Sequence, residues 1–125
     1  MDTKRLTIPV SPGAPHQARS AVAETLGPRH PRLEAVLLAT SEIVSNAVQH
    51  GNLGPEDSIC LEIDRPDDRV RVTVTHPGVA VTSTRRTAPG PGGWGLKIVD
   101  SLAGDWGIRH GREGVCAWFE IQAAA

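Results

Sequence analysis

Between Leu33 and His50, apolar residues fall at Leu33, Val36, Leu37, Ile43, Val44, Ala47 and Val48. That is one wide stripe at the 3.6-residue period of an α-helix, and it predicts a helix from Arg32 or Leu33 to His50. Gly51 follows as a natural stop, with His50 in the last turn. A helix of this kind must bury its stripe against a second layer, so the rest of the chain has to supply one.

The flanking sequence supplies strands. Leu6, Ile8 and Val10 alternate as a short strand, which Pro9 confines to a sheet edge or a strand end. Ser11 to Pro15 reads as a turn. Ala18, Val22 and Leu26 recur at helical spacing from His16 to Leu26, where Gly27-Pro28 ends the helix. His30-Pro31 is a loop. Ile59, Leu61 and Ile63 alternate, as do Val70, Val72 and Val74, with turn residues Arg65 to Asp68 between them. These two runs predict an antiparallel hairpin. Gly78 to Gly93 is rich in Pro, Gly, Ser and Thr, and loops of that length are usually functional or disordered. A short helix follows with Leu96, Val99, Leu102 and Ala103 on one face. Trp106 to His110 and Val115 to Ile121 are two more strand-like runs, joined through Gly111 to Gly114. The order β-α-α-β-β-loop-α-β-β predicts an α+β two-layer sandwich: a mostly antiparallel, mixed sheet covered on one face by helices.

Length and charge narrow the function classes. A chain of 125 residues suits one domain, taken as 1–125, and 39% apolar content is too high for a disordered chain. Thirteen Lys and Arg against fourteen Asp and Glu give a formal net charge of −1, which argues against direct nucleic-acid binding. No apolar run approaches the roughly 20 residues that cross a bilayer, and Met1 to Val10 has no signal-like core. A cytoplasmic location without membrane contact is the expectation. Cys60 and Cys116 are read as small half-buried or buried hydrophobes rather than a disulfide or zinc site.

Three features carry chemistry. Glu42 and Asn46 are four residues apart on the long helix and so share a face, which continues to Gln49 and His50. An Asn oxygen is a hard ligand suited to Mg²⁺, and a carboxylate one turn earlier can orient or deprotonate a nucleophile. A solvated helix face has the same spacing. Gly92-Gly93-Trp94-Gly95-Leu96 opens a helix after the long loop; unpaired N–H groups at a helix start receive phosphates well, although a tight turn also uses glycine. Last, the strand Val72 to Thr75 ends in His76-Pro77-Gly78.

Together these residues resemble the GHKL (histidine-kinase-like) ATPase superfamily with its Bergerat ATP-binding fold, and within it the small bacterial anti-sigma-factor serine/threonine kinases. Glu42 through Gly51 looks like the family's N box. Gly93-Trp94-Gly95-Leu96, with Ile98 to Ala103 behind it, looks like its second glycine box. Trp106-Gly107 and Trp118 to Ile121 look like its closing strands. The resemblance implies Mg²⁺ on Asn46, Glu42 as general base toward a partner's serine, and ATP held at Asn46, His50, His76, Gly78, Gly93, Trp94, Gly95 and Leu96, under a lid from Thr82 to Gly92. It implies a sigma factor or an anti-anti-sigma factor as partner, and a homodimer. One departure stands out: where the family has an Asp that accepts from the adenine amino group, this chain has His76, followed by Pro77. A neutral His accepts through one ring nitrogen but offers no carboxylate charge. The resemblance therefore implies either an ATP-dependent kinase or a protein-binding module of the same fold with weakened nucleotide affinity.

Overall fold

The computed structural model describes residues 3–50, 53–77, 94–111 and 114–123. The elements are β1 (Thr3–Pro9), α1 (Ala14–Leu26), α2 (Leu33–His50), β2 (Ser58–Asp64), β3 (Arg69–His76), α3 (Trp94–Leu102), β4 (Asp105–Gly111) and β5 (Gly114–Gln122). Their order is the one read from the sequence. The strands form one sheet in the order β1-β2-β3-β5-β4. Every described pairing in it is antiparallel, in keeping with the expected mostly antiparallel sheet. The physical reason lies in the connections: β2–β3 and β4–β5 are hairpins, and α3 delivers β4 to the outer side of β5 rather than beside β3.

Pro9 lies on the edge strand, where its missing N–H costs no ladder bond. The helices lie on one face, α1 against β1 and β2, α2 against β3 and β5, and α3 against β4, with α2 packed between the other two. Inward positions alternate as the period of two demands: Ile59, Leu61 and Ile63 on β2, and Val70, Val72, Val74 and His76 on β3, are all buried. Phe119 is the largest fully buried side chain, opposite Val72 on β3 and Trp106 on β4. From the helices, Ala18, Val22, Val36, Ala39, Ile43, Val44 and Val99 complete the core.

Helix α1 begins at Ala14, two residues before the sequence reading, because Pro15 fits the first turn, where an N–H has no intrahelical partner. It ends at Gly27, whose φ of 88° is open to glycine. The outward face of the sheet is polar. Arg69 and Arg71 converge on Glu120, with Arg71 Nε donating to the carboxylate at 2.7 Å. The Arg71 guanidinium also lies 5.4 Å from the Trp118 ring centroid. Trp118 covers Gly107 on the adjacent strand, where a Cβ would meet the indole Nε1 at 3.1 Å. Cys60 and Cys116 both lie opposite Thr75, on either side of it. Two strand spacings, roughly 9–10 Å, separate them, which is beyond disulfide reach.

Thr40 Oγ1 is fully enclosed and, among the described residues, is the one enclosed side-chain polar atom with no hydrogen-bond partner. A buried hydroxyl without a partner is a net cost. Thr40→Val keeps the shape and removes that cost, so denaturant unfolding is expected to show a gain of about 1 kcal/mol. A loss of stability instead would contradict the orphan assignment.

Candidate functional site

Helix α2 owes its rigid placement to its packing between α1 and α3 and to a cap that sequence reading missed. His30 Nδ1 accepts the Arg32 N–H at 3.0 Å, and the His30 carbonyl accepts the Leu33 N–H at 3.2 Å. Both N–H groups belong to the helix start, where partners must come from outside the helix. Desolvation, then the positive charges of Arg65 and Arg32, hold the His30 pKa below its ordinary value. The sign follows. The unfolded chain takes up the proton at higher pH than the folded one, so the contribution is complete above about pH 6.5 and is lost as pH falls through the lowered folded value. Protonated Nδ1 also cannot accept from Arg32. Melting curves of the wild type from pH 7 to pH 5 are expected to fall more steeply than those of His30→Asn; parallel curves would exclude His30 as a cap that titrates.

Along α2 the buried residues Val36, Ala39, Ile43, Val44 and Ala47 face the core. Glu42 and Asn46 flank that stripe, half-buried. Among the described residues neither makes a hydrogen bond or ion pair. The half-buried or buried carboxylates of the sheet behave differently: Glu62 is tied to Arg5, and Glu120 to Arg69 and Arg71. Glu42 and Asn46 thus stand partly desolvated with their oxygens uncommitted, one helical turn apart.

His76 lies on the helix-facing side of the sheet at the end of β3, opposite Val115, and is 6% exposed. Its Nδ1 is 2.8 Å from the Pro77 carbonyl oxygen. The start of β5 presses on this turn: a Cβ on Gly114, whose φ is 140°, would lie 2.2 Å from the His76 carbonyl oxygen and 3.2 Å from Pro77 Cα. Only glycine fits there.

Trp94, Gly95 and Leu96 form the first turn of α3, a nine-residue helix packed on α2. The helix is pinned from behind, where Trp106 Nε1 donates to Asp100 Oδ1 at 2.7 Å. That bond links α3 to β4 and was not foreseen from the sequence, since nothing in the spacing marks Asp100 as an acceptor. Helix α2, which carries Glu42 and Asn46, packs on β3, which ends in His76, and on α3. No hydrogen bond or ion pair among the described residues joins Glu42 or Asn46 to the other two segments. Gly78, Gly93 and the Thr82 to Gly92 segment lie outside the described residues. His50 ends α2, and only its backbone position is described.

The donor set fits a hard cation. The Asn46 amide oxygen suits Mg²⁺, which takes one or two protein oxygens and fills its remaining positions with water and phosphate oxygens, and leaves the Glu42 carboxylate free as a base. Among the described residues there is no cluster of three or more His, Cys, Asp or Glu that could hold a metal by itself. No helix among them is long and apolar enough to cross a membrane.

Comparisons with known proteins agree with this layout. The chain is similar in structure to the RsbU and RsbW domains of Rv1364c from Mycobacterium tuberculosis, with a TM-score of 0.70 and 23% identity over 98% of this chain. It spans 32% of that longer chain. It is also similar to the nucleotide-free catalytic domain of the histidine kinase ThkA, with a TM-score of 0.61 and 15% identity, covering 98% of each chain. At these identities the likeness is one of fold. No curated protein matches the sequence. The sequence model of the histidine kinase-like ATPase domain matches residues 8–121, and with the antiparallel sheet, its one-sided helical layer and the Glu42–Asn46 helix this chain belongs to that family.

Proposed function

We propose that this protein is a Mg²⁺-dependent ATP-binding regulator of the anti-sigma-factor kind, with protein serine/threonine kinase activity toward an anti-anti-sigma partner. The observation that carries the reading is the pair Glu42 and Asn46, half-buried, without a hydrogen-bond or ion-pair partner among the described residues and on one face of α2. The family membership and the likeness to an RsbW-containing protein support it.

In this reading Asn46 offers its side-chain oxygen to Mg²⁺, and the backbone at the start of α3, from Trp94 to Leu96, faces the phosphates. The bound metal supplies charge neutralisation for the transferring phosphoryl group. Glu42 accepts the proton of the attacking hydroxyl of the partner's serine. His50, His76 and Gly78 bound the nucleotide away from the transferring group. Gly93 belongs with the phosphate end, and the protein works as a homodimer, as its resemblance to the anti-sigma kinases implies.

A second reading has a specific observation in its favour. A histidine, not a carboxylate, stands at the end of β3. A domain that had given up nucleotide would retain the fold and act only by sequestering a sigma factor. Thermal unfolding separates the two. Saturating ATP with Mg²⁺ at about 100 times its Kd stabilises a binding-competent fold by about 2.7 kcal/mol, several degrees in Tm for a domain of this size. ATP is expected to raise Tm by that amount with Mg²⁺ and by much less with a chelator. An unmoved Tm at millimolar ATP would favour the sequestering module.

A further inference from the structure

We propose that Arg29, Arg32 and Arg65 form a docking site for a short acidic segment of a partner protein. The inference does not rest on the nucleotide-binding reading, because the site lies at the other end of the domain.

The fold brings these arginines together from two turns. Arg29 and Arg32 belong to the turn between α1 and α2, and Arg65 to the turn between β2 and β3. Arg65 Nη1 donates to the Thr25 carbonyl oxygen in the last turn of α1 at 3.4 Å, which ties the second turn to the first. The α1–α2 turn is stiff. Pro28 and Pro31 fix their own φ. The His30 N–H donates to the Gly27 carbonyl at 3.3 Å, and the Arg32 N–H to His30 Nδ1 at 3.0 Å. A preorganised loop loses little freedom when a ligand docks. The place is remote from Asn46, since Leu33 to Asn46 spans roughly 20 Å along α2, and β3 runs away from the Arg65 turn toward His76.

The charge of this corner is uncommitted. Arg29 and Arg65 are exposed and Arg32 is half-buried. Among the described residues none of them pairs with a carboxylate. The arginines of the sheet behave differently: Arg5 holds Glu62, and Arg69 and Arg71 hold Glu120. The carboxylates that flank Arg65 in the sequence turn elsewhere, Asp64 accepting from the Thr3 hydroxyl and Asp67 facing Arg69. The charges that lower the His30 pKa, after desolvation, are those of Arg65 and Arg32, so positive potential converges on that ring.

The chemistry of the patch selects its ligand. A guanidinium offers a planar fork that takes a carboxylate through parallel hydrogen bonds. The patch is also short, and exposed carboxylates follow it on both arms, Glu34 just after Arg32 and Asp68 just after Arg65. The whole chain carries a formal charge of −1. A long polyanion such as a nucleic acid meets repulsion beyond the patch, whereas a short run of Asp and Glu fits within it.

The test follows the His30 imidazole by NMR in the full chain at low salt, its resonance identified by its loss in His30→Asn. The probe is a short peptide of alternating glutamate and glycine. Its carboxylates neutralise the patch, so the His30 pKa is expected to rise toward its ordinary value, while a glutamine–glycine peptide leaves it unmoved. Replacing Arg29, Arg32 and Arg65 together by Gln is expected to weaken peptide binding at least about tenfold, with the melting temperature checking that the variant folds. Arg109→Gln, at an exposed arginine on β4, is expected to bind as the wild type does. A glutamate peptide that leaves the wild-type His30 unmoved would overturn the proposal, and that result needs no variant. An equal loss in Arg109→Gln would overturn it too, since the attraction would then be general. So would a DNA duplex or an anionic lipid vesicle that binds the corner more tightly than the peptide.

Discussion

Asn46→Ala is expected to remove the magnesium dependence of ATP binding and to weaken binding with Mg²⁺ by roughly tenfold to a hundredfold, the worth of one good polar contact to a ligand. The expectation follows from the half-buried position of Asn46 and the absence of any described group competing for its side chain. The same facts make the substitution structurally mild. Alanine is the better helix former and no described residue loses a hydrogen bond, so the melting temperature of the free protein should not drop. Gln49→Ala, exposed near the end of the same helix, is the control expected to leave affinity unchanged. Calorimetry of the three proteins with and without Mg²⁺ reads the result. An Asn46→Ala protein that keeps both the affinity and the magnesium response would remove Asn46 from the site.

Phe119→Ala is expected to be the most damaging core substitution. Phe119 is fully buried on β5, with Val72 and Trp106 opposite it on the two neighbouring strands and the helical layer above. The change removes the largest enclosed side chain from the middle of the sheet and leaves a cavity bounded by paired strands that have little freedom to collapse. Such truncations cost about 3–5 kcal/mol, a large share of the 5–15 kcal/mol that holds an ordinary domain together. Denaturant unfolding should show the midpoint falling while the slope stays constant. A loss under about 1 kcal/mol would mean that the sheet closes over the gap and that the core is more plastic than its register implies.

The architecture was legible wherever a period could be counted. The Leu33 to Val48 stripe gave α2 with its start placed at Arg32 or Leu33, the second of which is observed, the alternation of Ile59 to Ile63 and Val70 to Val74 gave β2 and β3, and Pro9 pointed to an edge. What the sequence hid depends on which strand lies beside which. Arg71 and Glu120 are 49 residues apart, and only the β3–β5 register makes them opposite partners. In the site, the shared face of Glu42 and Asn46 follows from helical spacing alone. Their lack of partners among the described residues does not, because it depends on what packs around α2. The His30 cap and the His76–Pro77 contact are further removed still. Each is set by a single backbone group, the Arg32 N–H and the Pro77 carbonyl, whose direction no residue pattern encodes.

The family assignment gives the fold but leaves the chemistry to the site. In the proposed reading, Glu42 and Asn46 serve the phosphate end, and His76 stands where the resemblance calls for a carboxylate. Calorimetric titration of the wild-type chain with ATP, once in Mg²⁺ and once in a chelator, tests this most directly. The account predicts a saturable heat with Mg²⁺ below millimolar nucleotide that disappears when the metal is removed. No heat at millimolar ATP in the presence of Mg²⁺ would contradict it.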